Sequence, residues 1–396
     1  MREENYHPII SGEVRCSDNG GFSYFWPNDL PMDVQLDRTT MKMVENALVN
    51  LSKLDGKVSQ MTAAERNTLL IPFLLMESTK SSAIEGTGTT IEDLYRSERI
   101  EETDPVKRND NREVLNYRDA LDYATSLDTG EIAEDLLLEL HRMLMKGVRG
   151  ERKTPGEYRE VQVLVGSKGD TLDTAGFVPM PPEHIPWKMG NLFEYVNDAE
   201  ENSLICAAMS HYQFETIHPF TDGNGRLGRL LIMLVLSRNK VLEYPVLYLS
   251  DYFNNHREEY ISRLNKVREC DDFESWIRMF LDALIEQSKR SIELIDSLFE
   301  FRRQLHGSVD EPNAARLIDS LFANPYVRKT DVAEICGIHP STAGKLVNNL
   351  VEKGILTEIT GNRRNQMFVC DGIMKILDSY RFSESDPPRG CGDRIC

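Results

Sequence analysis

The residues His218-Pro-Phe-Thr-Asp-Gly-Asn-Gly-Arg-Leu-Gly-Arg229 set a base, a carboxylate, a glycine-rich turn and two arginines in front of a long apolar run. That run, Leu230-Leu-Ile-Met-Leu-Val-Leu236, follows without a break and reads as buried helix. The turn Gly223-Asn224-Gly225 is therefore expected at a helix N-terminus, where free backbone N–H groups and the helix dipole favour an anion. Gly223 and Gly225 can take positive φ and let a phosphate approach the backbone closely. Arg226 and Arg229, three apart, point to one side of the first helical turn, and guanidinium forks suit phosphate oxygens better than ammonium groups do. Asp222 adds a hard oxygen ligand where a magnesium ion bridges phosphates. His218, on the approach loop, is a titratable base near neutral pH.

The segment resembles the Fic family signature, His-x-Phe-x-Asp/Glu-Gly-Asn-Gly-Arg-x-x-Arg, matched at every specified position. The resemblance implies transfer of AMP from ATP to a hydroxyl side chain of a target protein, or of the chain itself. In that reading His218 deprotonates the hydroxyl and Asp222 holds Mg2+. Gly223, Asn224, Gly225 and Arg226, together with Arg229, grip the phosphates of ATP. The stretch Val246-Leu-Tyr-Leu-Ser-Asp-Tyr-Phe-Asn-Asn-His256 and Tyr260 also resemble the family. That likeness makes Tyr260 the candidate aromatic of the adenine pocket, although aromatics at helical spacing commonly pack cores.

A second constellation lies upstream. Thr62-Ala-Ala-Glu65 is a capping box that opens a helix over 62–84, bent at Pro72 and closed by Gly86. Ser81 and Glu85 are spaced i, i+4 and share one face. Alone, Ser-x-x-x-Glu-Gly fits a solvated helix face ending in a glycine cap. Beside the motif it is similar to the family's inhibitory helix, Ser/Thr-x-x-x-Glu-Gly/Asn. The resemblance implies that Glu85 pairs with Arg229 and takes space needed by the γ-phosphate. A carboxylate that pre-empts an arginine opposes bound ATP by repulsion and by lost pairing.

From Pro155 to Pro182 the helical period disappears. Val161-Gln-Val-Leu-Val165 reads as a strand, Ser167-Lys-Gly-Asp170 as a turn, and Gly176-Phe-Val178 as a returning strand before Pro179. By itself this is a surface hairpin. Its flanks, Pro155-Gly-Glu-Tyr-Arg159 and Phe177-Val-Pro-Met-Pro-Pro182, resemble those of the Fic flap, which covers the active site and docks the target by strand addition.

Elsewhere the periodicity is mostly helical, at roughly 40–55, 110–126, 131–146, 183–198, 203–217, 225–239, 251–268 and 272–305. Residues up to about 38 are expected to be irregular and to wrap the surface. Beyond the linker His306–Pro312, helices at 314–323, 329–336 and 341–353 precede a hairpin of Gly354–Thr360 and Gln366–Val369. This order resembles a winged helix whose recognition helix is 341–353. Lys345, Arg363 and Arg364 could meet phosphates, but six basic against four acidic residues between Arg328 and Gln366 leave a small excess. Protein docking, dimerisation and DNA binding all stay open for this module.

With 396 residues the chain exceeds one ordinary core. The expected layout is an N-terminal region with the inhibitory helix (1–100), a Fic catalytic core (101–305), a winged helix (306–382) and a disordered tail (383–396). A net charge of −18 argues against wholesale nucleic-acid coating. Seven cysteines without a CxxC pair suit reduced thiols, with Cys206 and Cys336 as core residues. No run approaches the length of apolar residues a membrane span needs, so the expected location is the cytoplasm. The reading is a mainly α protein adenylyltransferase with a β flap. Its rivals are a DNA-binding regulator that senses nucleotide, which would not need His218, and an enzyme that moves another nucleotide-derived phosphate group.

Overall fold

Two helices buried on nearly every side carry the motif between them. In α8 (Ser203–Ile217) and α9 (Asn224–Arg238) nearly every side chain is buried, the pattern of a helix enclosed by others rather than lying on a surface. They pack against each other, α8 also against α7 (Ile185–Asp198), and α9 also against α5 (Pro105–Ser126) and α6 (Glu134–Met145). The short loop between α8 and α9 carries the motif. The structure is a computed structural model and describes residues 1, 3–17, 21–100, 102–127, 130–148, 153–166, 169–198 and 200–380. The expected tail from 383 and the turn residues Ser167 and Lys168 lie outside the described residues.

The chain divides into two compact units that interleave along the sequence: Met1–Met61, Phe73–Leu94 and Glu102–Lys289 in the first, and Thr62–Pro72, Tyr95–Glu101 and Arg290–Cys396 in the second. In the first unit, Asp37 caps α1 (Arg38–Ser59) by accepting from Thr40 N at 2.7 Å. Asp104 caps α5 in the same way, with Pro105 at its start. Trp276 on α12 (Phe273–Gly307) is fully buried and donates Nε1–H to the Ala208 carbonyl at 3.1 Å.

Several expectations are corrected. The N-terminal stretch is not irregular: β1 (Gly12–Cys16) and β2 (Ser23–Pro27) form an antiparallel hairpin. Its Phe25 bridges Pro179 in parallel, donates N–H to the Val178 carbonyl at 2.9 Å and is fully buried. The helix expected over 62–84 is two, α2 (Ala63–Leu69) and α3 (Ile71–Ile84). Pro72 therefore stands in the first turn of α3, where its missing N–H leaves no bond unmade. The helix expected at 251–268 breaks at His256 into α10 (Leu249–Asn255) and α11 (Arg257–Cys270). A short helix α4 (Ile91–Ser97), capped by mutual Thr90–Asp93 bonds, was not foreseen. Among its described residues the flap forms one antiparallel rung, Val165 against Phe177, with hydrogen bonds of 2.9 and 3.1 Å in place of the two expected strands.

In the second unit α13 (Pro312–Ala323), β3 (Tyr326–Arg328), α14 (Lys329–Cys336) and α15 (Pro340–Glu352) are followed by β4 (Thr357–Glu358), β5 (Met367–Val369) and α16 (Asp371–Ser379). The strands form an antiparallel sheet in the order β3-β5-β4. Arg302 links this unit's pieces, donating to Asp319 at 2.8 Å and to Glu65 at 3.3 Å.

Candidate active site

α8 ends at His218, whose backbone is left-handed at φ 51°. That conformation costs a non-glycine residue ~1 kcal/mol, so its surroundings must hold it. The His218 N–H donates to the Phe214 carbonyl, and its carbonyl accepts from Arg159 Nε, each at 2.9 Å. Arg159 is only 2% exposed and also donates to the carbonyls of Val161 (3.0 Å) and Met180 (2.7 Å). One buried guanidinium thus ties both flanks of the 155–182 loop to the histidine. Burial, then the charges of Arg159 and Arg268, pull the His218 imidazole down to about 4. It is a neutral base at pH 7, and its buried Nδ1 has no hydrogen-bond partner among the described residues.

Beyond His218 the loop closes on itself. The Asn224 side chain accepts from Phe220 N at 2.9 Å and donates to Phe220 O at 2.8 Å. Its amide is therefore engaged in holding the loop. Only its backbone is left to meet phosphate. Gly223, at φ 81°, starts α9 and turns the following N–H groups outward. Behind the turn stands His141, which the sequence reading missed. Its Nδ1 accepts from Gly156 N at 2.8 Å, so Nε2 carries the proton and donates to the Asp222 carbonyl at 3.0 Å. Its ring stacks on Phe220 at 3.8 Å, and burial lowers its pKa to about 4.

The Asp222 carboxylate accepts from Gly223 N at 2.8 Å on Oδ1 and pairs with Lys153 at 2.9 Å on Oδ2. Burial pushes this carboxyl up, but the Lys153 bond and charge, Arg226 and the Gly223 N–H outweigh it and hold it below the ordinary range. Arg226 is buried, 3.8 Å from both Asp222 and Glu113. Its Nε and Nη1 make no hydrogen bond among the described residues, leaving donors that an anion at the turn could take.

Arg229 faces α3. Its Nε donates to Ser81 Oγ at 2.9 Å, and Nη2 donates to the Ser81 carbonyl and to Glu85 Oε1, both at 2.8 Å. Burial opposes the guanidinium's charge, but the Glu85 carboxylate more than compensates, so its pKa is raised. A Cβ on Gly225 would lie 2.1 Å from Glu85 Oε1, so the carboxylate lies directly against the second glycine of the turn. α3 is fastened from behind. Buried Glu77 accepts from Tyr117 Oη at 3.1 Å and from Ser250 N at 2.9 Å, Lys80 pairs with Asp251 at 3.0 Å, and Arg257 donates to the Ile84 carbonyl at 3.1 Å.

Tyr260 is corrected. It is 3% exposed, stacks on Phe253 at 4.7 Å and hydrogen-bonds His211 at 2.7 Å. It is a core residue with no open face for adenine. Glu215, three residues before His218, is a second residue that the sequence reading missed. Its Oε1 is buried without a hydrogen bond among the described residues, close to Gly228 on α9. Burial raises this carboxyl to about 7 despite Arg229.

Comparison with known proteins places this geometry. Residues 131–236 match the Fic/DOC family, and residues 41–126 match the Fic/DOC family N-terminal region. The chain is 30% identical over 173 residues to "Protein adenylyltransferase fic-1" of Caenorhabditis elegans, covering 42% of this chain and 29% of that protein. It is 29% identical over 258 residues to "Protein adenylyltransferase Fic" of Nematostella vectensis, covering 61% of this chain and 55% of that one. The matched segments thus span about half or less of those relatives. Among solved structures, a Fic family protein from Desulfovibrio desulfuricans superposes with a TM-score of 0.53 at 21% identity, covering 85% of this chain and 98% of that one. Fic-1 from C. elegans gives 0.53 at 22% identity, covering 65% and 74%. At these identities the likeness establishes the fold.

Proposed function

As a member of the Fic/DOC family through residues 41–126 and 131–236, the chain is, we propose, a protein adenylyltransferase that moves AMP from ATP to a hydroxyl side chain of a protein. The observation that carries this reading is the motif loop. A neutral His218 stands on the same short loop as an ionised Asp222 and a helix N-terminus flanked by two buried arginines. Relatives named protein adenylyltransferase support it.

In the reaction the target hydroxyl oxygen attacks the α-phosphorus of ATP and pyrophosphate leaves. His218 takes the hydroxyl proton as the new P–O bond forms. The backbone N–H groups from Gly223 to Arg226, the free donors of Arg226, and Arg229 hold the phosphates. Arg159 and His141 orient this machinery without touching substrate. A magnesium ion fits the arrangement to a limited degree. No group of three or more ligating side chains occurs among the described residues, and Asp222 offers one hard carboxylate. Mg2+ is commonly held by one or two carboxylates together with substrate phosphates and water. Asp222 would hold it, and it would neutralise phosphate charge when bound.

The same geometry supports restraint by Glu85. Its carboxylate lies against Gly225 and pairs with Arg229, so phosphates at the turn meet a like charge and an occupied guanidinium. The flap rung Val165–Phe177 leaves Val161 and Val165 exposed, which suits a target segment added as a strand. The helix and strand order of the second unit supports a winged helix. Exposed Ser341, Thr342, Lys345 and Asn348 on α15 form its docking face, and the small basic excess favours a protein partner, a second copy of the chain included, over duplex DNA. No helix among the described residues is long and apolar enough to cross a membrane.

The test is label transfer by the Glu85→Gly chain from ATP labelled at the α- or the γ-phosphate. Protein labelling from the α position alone supports adenylyl transfer. Labelling from the γ position would make the enzyme a kinase and overturn the reading.

A further inference from the structure

Lys153 stands at the base of the flap, and its ammonium is 2.9 Å from Asp222 Oδ2. A half-exposed ion pair alone means little. This one is built from both sides. Thr221 Oγ1, from the motif loop, donates to the Lys153 carbonyl at 3.1 Å. Three residues on, the Gly156 N–H is fixed to His141, which in turn holds the Asp222 carbonyl. Between them Thr154 takes φ 46°, a left-handed conformation that a β-branched residue adopts only when its surroundings impose it. The lysine backbone is thereby pinned where its side chain reaches the aspartate. The other carboxylate oxygen, Oδ1, already accepts from Gly223 N at 2.8 Å. Oδ2 is the oxygen left for a cation, and Lys153 holds it.

We propose that Lys153 is a built-in competitor for the divalent cation at Asp222, so that the metal that accompanies the nucleotide enters only as the lysine leaves. A hard cation bound to Oδ2 would sit beside an ammonium on the same oxygen, and the two positive charges repel. Metal binding is thereby coupled to the flap base, because Lys153 and the 155–182 loop are one continuous segment. The inference rests on the reading of Asp222 as the carboxylate that receives Mg2+ with ATP.

Calorimetry on the full-length Glu85→Gly chain gives the ATP dissociation constant with excess Mg2+ and with a chelator, and the chelator value divided by the Mg2+ value is the metal's contribution to nucleotide binding. Lys153→Met should raise that ratio by about tenfold, by easing metal entry and by leaving Asp222 unneutralised against metal-free ATP. Lys153→Arg, which keeps the charge, should leave the ratio close to that of the parent. An unchanged or lower ratio in Lys153→Met would overturn the proposal, and so would a rise that comes wholly from weaker metal-free binding, which is what a phosphate-gripping lysine gives. If the Glu85→Gly parent itself binds ATP equally with and without Mg2+, the metal reading of Asp222 fails and the proposal falls with it.

Discussion

Glu85 and Arg229 are joined at 2.8 Å across the mouth of the glycine turn, and two further Arg229 bonds go to α3, through Ser81. α3 and the residue that follows it thus engage the arginine that α9 presents at three points. The pair is asymmetric: the Arg229 side chain is 2% exposed and that of Glu85 41%. The glutamate can leave into solvent, whereas the arginine stays in place with a buried charge that needs an anion. In the proposed reading, ATP phosphates would fill that role once Glu85 has gone.

His218→Ala should abolish modification while ATP binding, read by calorimetry, stays within about threefold of the parent, because the base acts only on the attacking hydroxyl. Unimpaired transfer in this variant would remove His218 from the mechanism.

Gly225→Ala separates release of Glu85 from formation of the phosphate site. The new Cβ would lie 2.1 Å from Glu85 Oε1, so the carboxylate must move, yet the methyl fills the space a phosphate needs. Gly225→Ala should therefore not activate, and Gly225→Ala in the Glu85→Gly chain should cut label transfer by roughly a hundredfold. Full activity in the double variant would show that no phosphate approaches this glycine.

The pH profile follows from the lowered pKa of His218. A free imidazole loses its basic form below about 6.5, whereas that of His218 is lowered to about 4. Transfer by the Glu85→Gly chain should hold from pH 7 to about 5 and fall only as pH approaches 4. A fall centred at 6.5 would contradict the lowered value.

Glu215 should leave a signature in stability. Its carboxyl titrates near 7 in the folded chain, above its value of 4.5 outside it. The folded state therefore binds the extra proton between those limits, and stability contributed by the neutral acid is lost as pH rises through 7. Glu215→Gln should raise Tm by roughly 2 °C at pH 8 and by nothing measurable at pH 5. An equal effect at both pH values would contradict this account.

Much of the site was legible because one loop carries it. The spacing of Asp222, Gly223, Gly225, Arg226 and Arg229 fixes their places around a single helix start, and Ser81 and Glu85 follow from one face of α3. What was hidden comes from elsewhere in the chain. His141, Lys153 and Arg159 act through carbonyls and carboxylates that no local period announces. The Asn224 side chain turned back on its own loop, and Tyr260 joined the core, where an aromatic at helical spacing commonly goes. The β1–β2 hairpin was missed because its second strand, Ser23–Pro27, is a short apolar run ending in proline. Its partner across the chain, Pro179, lies in the flap's flank.

The most direct test of the central claim is intact-mass analysis after incubation with ATP and Mg2+, comparing the wild-type chain, Glu85→Gly, and Glu85→Gly with His218→Ala, each alone and with a cell lysate resolved by α-phosphate label. The account predicts AMP on the chain itself or on a lysate protein with Glu85→Gly, far less with wild type, and none with the double variant. Equal modification by wild type and Glu85→Gly, or none by Glu85→Gly in either setting, would contradict it.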